Sequence, residues 1–317
     1  MVLAALGTAA GAQQRPVRLG FLGPIGGPGN RSLTSAALVR RLAELGYVEG
    51  KSAFFEERSA AGDPARLPAL ARELAQLKLD LIFAWGPLAV ARAMVDAKPA
   101  APIILSAPDY DPVETSIVRS YRRPGVAVTG AYIAQPLLAV KRFELARQIL
   151  PSADRFLVFS DEFARDQRLA LQKAIGTTIK LELVEFRAPP YDYEAAFEQG
   201  RRARTQALIG LHSPLFYQDR AKMAELAARY KLPALGSLAE FADAGYLATY
   251  GASNAKIAER AAEIAVRVLK GADPAATPVE QVNEYELVIN LKTAKALGLK
   301  VPGPALVRAT RIIEEKL

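Results

Sequence analysis

The chain has 317 residues, a length that suggests more than one lobe. Its composition, with 51% hydrophobic and 23% charged residues, is typical of a folded α/β protein. Its formal net charge is +8, but lysine and arginine are interleaved with aspartate and glutamate, which argues against a nucleic-acid site. The absence of cysteine excludes disulfides and thiolate chemistry within the chain, and a single histidine, His212, disfavours histidine-rich metal sites.

The first sixteen residues contain a short apolar run followed by Ala10-Gly11-Ala12, the small-x-small pattern that signal peptidase accepts. We interpret residues 1–16 as the last part of a signal peptide, and we therefore expect export to the periplasm. The alternative is an alanine-rich leader without ordered structure. The run itself is too short to span a membrane.

From Val17 onward, short apolar runs alternate with amphipathic stretches, which predicts βα units that build a parallel sheet. Strands are predicted at Val17–Leu22, around Phe54 and Phe55, at Leu79–Trp85 and at Pro102–Ala107. The apolar spacing between them predicts helices from Ser32 to Leu45, around 67–77 and after Gly86.

The same pattern restarts after Val126–Gly130. A helix over Pro136–Leu150 is predicted, followed by strands at Arg155–Ser160, Ile179–Phe186, Ala207–Leu211 and Leu232–Ser237. We therefore expect two α/β lobes. The first comprises residues 17–128 with part of 253–285, and the second comprises residues 129–252 with part of 286–317.

Loops at the carboxyl ends of parallel strands form the ligand sites of such sheets, so we expect the site between the two lobes at these loops. The predicted ligand-binding residues are Ile25, Trp85, Gly86, Pro87, Asp109, Tyr110, Thr129, Ser160, Asp161, Tyr191, His212, Ser213, Ser237 and Tyr250.

Several of these residues have a functional and a structural interpretation. Trp85 could stack on a flat ligand or pack in the core. The turn at Gly86-Pro87 could hold a carboxylate on backbone N–H groups at a helix start, or could simply be a tight turn. Asp109 could pair with a ligand ammonium, whereas Asp111, before a proline, suits a turn equally well. Tyr250 could contact the ligand or pack at a hinge.

Ser213, His212 and Asp161 are the residue types of a hydrolase triad. However, the chain lacks a Gly-x-Ser-x-Gly elbow, and His212 and Ser213 are adjacent in sequence. We therefore predict no catalytic residues and no enzyme activity.

Six segments resemble one known family: Gly46–Gly86, Asp111–Val113, Arg123–Gly130, Ala248–Gly251, Val268–Gln281 and, most specifically, Val288–Glu314. From about Val17 to Glu314 the chain is similar to the uncharacterised ABC transporter substrate-binding proteins of the tryptophan-binding-protein-like group. The resemblance implies an α/β periplasmic-binding-protein fold of the first type, with two doubly wound parallel-sheet lobes and three crossover strands.

The resemblance also implies a function. We expect a monomeric periplasmic protein that captures an aromatic or branched amino acid, or a related organic acid, and delivers it to an ABC permease in the inner membrane. No metal, cofactor or nucleic acid is expected. The alternative is a ligand-sensing receptor domain that signals to a membrane partner, and an enzyme is the less favoured hypothesis.

Overall fold

The computed structural model describes residues 15–27, 29–108 and 110–314, which form two α/β lobes. The predicted residues 1–14 of the leader and the predicted site residue Asp109 lie outside the described residues. Elements are numbered below along the whole chain.

The first lobe is built on a parallel sheet whose strand order is β11-β5-β4-β3-β1-β2. Its strands are β1 Val17–Gly23, β2 Ala53–Ser59, β3 Leu81–Trp85, β4 Ile103–Ala107, β5 Val128–Tyr132 and β11 Glu280–Gln281. Its helices are α1 Leu33–Glu44, α2 Leu67–Gln76, α3 Leu88–Asp96 and α10 Asn254–Leu269, with a 3₁₀ turn at Pro64–Arg66.

The second lobe has a sheet in the order β13-β12-β10-β9-β8-β6-β7, in which only the pairing of β10 with β12 is antiparallel among the described strands. Its strands are β6 Arg155–Ser160, β7 Lys180–Glu185, β8 Ala207–Gly210, β9 Ala234–Gly236, β10 Ala248–Ala252, β12 Tyr285–Asn290 and β13 Arg311–Ile313. Its helices are α4 Gln135–Ile149, α5 Arg165–Ala174, α6 Tyr193–Arg202, α7 Pro214–Gln218, α8 Arg220–Arg229, α9 Ala239–Ala244, α11 Leu291–Ala296 and α12 Gly303–Val307, with a 3₁₀ turn at Glu162–Ala164.

The chain crosses between the lobes between β5 and α4, between β10 and α10, and between β11 and β12. The predicted fold class is therefore confirmed. The first lobe extends to Tyr132, beyond the predicted boundary after residue 128. The reason is that β5 pairs in parallel with β4, with Leu105 opposite Gly130, so the segment read as a restart completes the first sheet.

Burial follows the sequence pattern. Every residue of β3 is buried, as expected for a strand whose two faces are both covered by helices. Helix α10 follows the second crossover and packs beside α1, with alanines such as Ala258 and Ala262 fully buried in the shared core. None of the helices in the described part of the chain combines the length and apolar character that a membrane span requires.

Candidate functional site

A cavity of about 170 Å³ lies between the two lobes, at the carboxyl ends of the strands. We call it the interlobe cavity. The first-lobe residues that line it are Ile25, Ser32, Thr34, Ala37, Arg40, Trp85, Gly86 and Pro108. The second-lobe residues and the start of α10 contribute His212, Pro214, Tyr217, Leu238, Glu240 and Ala255.

Four predicted site residues lie on these walls: Ile25, Trp85, Gly86 and His212. Trp85 is the last residue of β3, and Ile25, Gly86 and His212 follow β1, β3 and β8, so these four residues lie at the carboxyl ends of parallel strands in both lobes. The wall contributed by α1 and the residues Tyr217, Leu238 and Glu240 were not predicted.

Trp85 forms part of the cavity wall and is only 7% exposed. Its indole ring lies against the backbone of β1, because a Cβ atom on Gly23 would come within 2.2 Å of the ring. Trp85 and Ile25 belong to the same apolar cluster as the core of the second lobe. Apolar contacts therefore join the two lobes beside the cavity.

The backbone cradle predicted at Gly86-Pro87 cannot draw its donors from these two residues themselves. The Gly86 N–H already donates to the carbonyl of Ser106, at 2.9 Å, and proline has no N–H to offer. The next two residues, Leu88 and Ala89, line with Pro87 a second cavity between the lobes, of about 190 Å³, which we call the second interlobe hollow. A carboxylate in the interlobe cavity would therefore need a different donor.

The first turn of α1 offers that donor. Ser32 is its N-cap, and the Ser32 hydroxyl accepts from the amide of Ser35 at 3.2 Å. Thr34 and Arg40 follow on the same helix and also line the cavity. Backbone N–H groups and the helix dipole favour an anion at such an end. The Arg40 guanidinium adds a positive charge, which is partly balanced by Glu259, whose Oε1 lies 3.4 Å from Arg40 Nη2. Ser32 after a glycine-rich loop was the sequence signal for this helix start.

On the second lobe, Gln167 holds the backbone of His212 at two points. The Gln167 amide donates to the His212 carbonyl at 2.7 Å, and the His212 N–H donates to Gln167 Oε1 at 2.8 Å. The imidazole Nδ1 lies 3.4 Å from the hydroxyl of Ser237. Burial, and secondarily the charge of Arg142, lowers the pKa of His212 to about 3, so its ring is neutral at physiological pH.

Tyr217, on α7, faces the cavity with a buried hydroxyl that has no hydrogen-bond partner within the described residues. Burial, and secondarily the negative charge of Glu240, raises its pKa to about 12, so the phenol keeps its proton. The guanidinium of Arg220 lies 4.5 Å from the ring centroid and holds the ring from one side. The hydroxyl oxygen is itself fully buried, so a ligand in the cavity reaches it only if the surrounding side chains move.

Asp161, Ser213 and Tyr191 lie together inside the second lobe and do not line the interlobe cavity. The Ser213 hydroxyl donates to Asp161 Oδ2 at 2.5 Å, and the Tyr191 hydroxyl donates to the same oxygen at 3.2 Å. Burial raises the pKa of Asp161 to about 6 despite these hydrogen bonds. Because Ser213 donates to Asp161 and not to His212, these residues do not form a triad-like relay.

The remaining predicted residues also lie away from the cavity wall. Ser160 is buried beside Asp161, and Tyr110 is buried in the first-lobe core. The Thr129 hydroxyl donates to the carbonyl of Thr277, at 2.9 Å, and so fastens the segment before β11 to β5. Tyr250 packs at the second crossover, with its ring centroid 6.0 Å from that of Tyr285.

Asp111 has the turn-forming role that was its alternative interpretation. Its Oδ1 accepts from the amides of Val113 and Glu114, at 2.8 and 3.1 Å. Its other oxygen accepts from the hydroxyl of Tyr121, at 2.5 Å.

Gln167→Leu is expected to lower the free energy of unfolding by about 1–3 kcal/mol, because it leaves the buried N–H and C=O of His212 without partners. Chemical denaturation measures this change. Gln172→Leu, at an exposed position of the same helix, is the matched control and should change stability by less than about 0.5 kcal/mol. Equal effects of the two substitutions would contradict the role given to Gln167.

Comparison with known proteins agrees with this architecture. The family profile of the ABC transporter substrate binding proteins matches residues 22–313. A tyrosine-binding protein of Clostridioides difficile is 26% identical over 275 residues, which cover 83% of this chain and 75% of that protein.

Two solved structures share the fold. One is a conserved domain protein from Vibrio cholerae, with 25% identity, a TM-score of 0.81, and coverage of 94% of this chain and 100% of that one. The other is an ABC domain from Streptococcus pneumonia in complex with L-Trp, with 21% identity, a TM-score of 0.78 and the same two coverages. Since the family profile spans nearly the whole described chain, the chain belongs to the family of ABC transporter substrate binding proteins.

Proposed function

We propose that this protein captures an aromatic amino acid, of the kind of L-tyrosine or L-tryptophan, between its lobes and delivers it to an ABC permease from the periplasmic side of the inner membrane. The observation that carries the proposal is the interlobe cavity, which places Trp85 of one lobe and Tyr217 of the other on the same small space. Relatives named for binding tyrosine and for a complex with L-Trp support this ligand class.

The size and lining of the cavity suit one small molecule. Its volume of about 170 Å³ lies below the roughly 300–1,000 Å³ of pockets for drug-sized ligands. Ile25, Trp85 and Leu238 give it apolar walls on which an aromatic side chain can be buried. Thr34, His212 and Glu240 add polar side chains to the same lining.

The charges at the cavity suit a zwitterion. On the first lobe, the start of α1 and Arg40 favour a carboxylate. On the second lobe, Glu240 offers a carboxylate to an ammonium group. A ligand with both groups would thus be held by both lobes. Such a ligand would stabilise the closed form over an open form, because closure alone brings the two sets of contacts together.

The proposal is tested on protein that has been unfolded and refolded to remove bound ligand. L-tyrosine, L-tryptophan, L-leucine, L-glutamate, L-lysine and a hexose are compared by thermal shift and calorimetric titration. We expect stabilisation by the aromatic amino acids that grows with concentration, because ligand binding to the folded state stabilises it by mass action. Stabilisation by the hexose alone, or by none of the amino acids, would refute the proposal.

A further inference from the structure

Arg142, on α4, is fully buried and has no ionic partner among the residues that the structure describes. Its Nη1 donates to Gln135 Oε1 at 3.2 Å and to the carbonyl of Tyr250 at 3.1 Å, and its Nη2 donates to Gln167 Oε1 at 3.1 Å. All of these acceptors are neutral, and Arg142 forms no ion pair with any carboxylate of the described residues. The Nε atom is also buried and has no partner there.

This arginine keeps its charge at neutral pH. Burial lowers the pKa of Arg142 only to about 9. A buried charge that has no opposite charge beside it is unfavourable, because hydrogen bonds to neutral groups replace only part of the lost hydration. Any anion that enters nearby would therefore gain from its presence.

Two spaces between the lobes lie near Arg142: Gln167 itself lines the second interlobe hollow, and His212, one hydrogen bond further on, lines the interlobe cavity. The oxygen of Gln167 that accepts from Arg142 also accepts from the amide of His212, and His212 lines the cavity. The charge of Arg142 is also felt at the imidazole, since it contributes to the lowered pKa of His212. The electrostatic potential at the His212 side of the cavity is therefore made more positive by the buried guanidinium of Arg142.

We propose that Arg142 is a specificity-determining residue, whose buried and unpaired guanidinium behind His212 makes the interlobe cavity select ligands that carry a carboxylate. This inference rests on the proposed function, because it assigns a residue to the recognition of the same ligand. Arg142 acts through space and through Gln167, without touching the ligand. Glu240 acts in the opposite sense on the cavity wall, so the two charges together suit a zwitterion better than a cation or a neutral molecule.

A purely structural role is the alternative, since Arg142 also joins Gln135, after the first crossover, to Tyr250, before the second. The two roles differ in what they predict. Loss of a structural tie weakens binding of every ligand alike, whereas loss of the charge weakens binding of carboxylate ligands selectively.

The experiment compares L-tryptophan with L-tryptophanamide, which have the same ring and the same ammonium group but differ in the carboxylate. Dissociation constants for both are measured by calorimetric titration at pH 6 for the wild type, Arg142→Met and Gln135→Met. We expect the preference for the acid over the amide to fall by on the order of tenfold in Arg142→Met. Gln135→Met removes one hydrogen bond to the guanidinium but keeps its charge, and it should retain the wild-type preference.

Circular dichroism and thermal unfolding establish that each variant is folded, and Arg142→Gln replaces Arg142→Met if the latter does not fold. An unchanged preference in the uncharged variant, or an acid-to-amide ratio near one in the wild type, would overturn the role of Arg142. If the wild type binds none of L-tryptophan, L-tryptophanamide and L-tyrosine, the proposed function itself is refuted.

Discussion

Trp85→Ala is expected to weaken the binding of L-tryptophan or L-tyrosine more than tenfold, a loss of over about 1.4 kcal/mol. Trp85 lines the interlobe cavity, and an aromatic ligand packed against its ring gains about 0.5–1.5 kcal/mol beyond the burial of apolar area. Calorimetric titration measures the change. Trp85→Phe, which retains an aromatic ring, should lose less affinity than Trp85→Ala.

The wild type also reports binding directly, because Trp85 is the only tryptophan of the chain. Its fluorescence should change as L-tyrosine is added. Trp85→Ala will also reduce stability, since truncation of a buried tryptophan costs about 3–5 kcal/mol, so binding is measured well below the melting temperature of the variant. Unchanged affinity in a folded Trp85→Ala protein would leave Trp85 as a core residue and remove a main support for an aromatic ligand.

The stability of this protein should depend on pH through His212. Burial keeps the pKa of His212 near 3 in the folded state, whereas an unfolded histidine has a pKa near 6.5. Below pH 6.5 the unfolded chain therefore binds a proton that the folded protein does not bind. The free energy of unfolding then falls by about 1.4 kcal/mol per pH unit, or about 3 kcal/mol by pH 4.

His212→Gln tests this directly, because no other histidine is present in the chain. Urea denaturation of both proteins at pH 7 and pH 4 should show that the wild type loses about 3 kcal/mol more than the variant on acidification. The imidazole resonances of the folded wild type should also remain constant from pH 8 to pH 5. A titration with a midpoint near 6.5 would show that the ring is not buried as described.

Ionisation of Asp161 has the opposite effect on the pH dependence of stability, and this effect must be distinguished from that of His212. Burial raises its pKa to about 6, above the value of about 3.9 in an unfolded chain, so between these values the folded protein binds the extra proton. Its contribution to stability is thus complete below pH 4 and is lost as the pH rises through 6. Since His212→Gln leaves Asp161 in place, this contribution cancels in the comparison of the two proteins.

Four of the predicted residues line the interlobe cavity because their positions depend only on strand order. Ile25, Trp85, Gly86 and His212 each lie at or just after the end of a buried apolar strand, and the carboxyl ends of parallel strands must share one edge. The start of α1 was recognisable from Ser32, but its contribution to the cavity was not. Which face of that helix meets the second lobe depends on how the lobes close.

The polar residues show the limit of the same rule. Ser213 and Asp161 also follow strands, yet their side chains point into the second lobe and bond to each other, with Tyr191 joining from the loop after β7. Gly86 lies in the expected turn, but its N–H donates to the carbonyl of Ser106 in the neighbouring strand β4. A loop position is encoded locally, whereas the direction of a side chain and the partner of an amide depend on packing with distant segments.

By itself, the sequence determined the alternation of strands and helices and its restart in a second lobe, because apolar periodicity and turn residues act over a few neighbours. The family followed from the resemblance of particular segments, above all Val288–Glu314. Only the tertiary structure decided that β5 completes the first sheet, that Trp85 lies on Gly23 and lines the same cavity as Tyr217, and that Arg142 is buried with no ionic partner among the described residues. Each of these depends on contacts between residues that are distant in the chain, and such contacts form only when the chain folds.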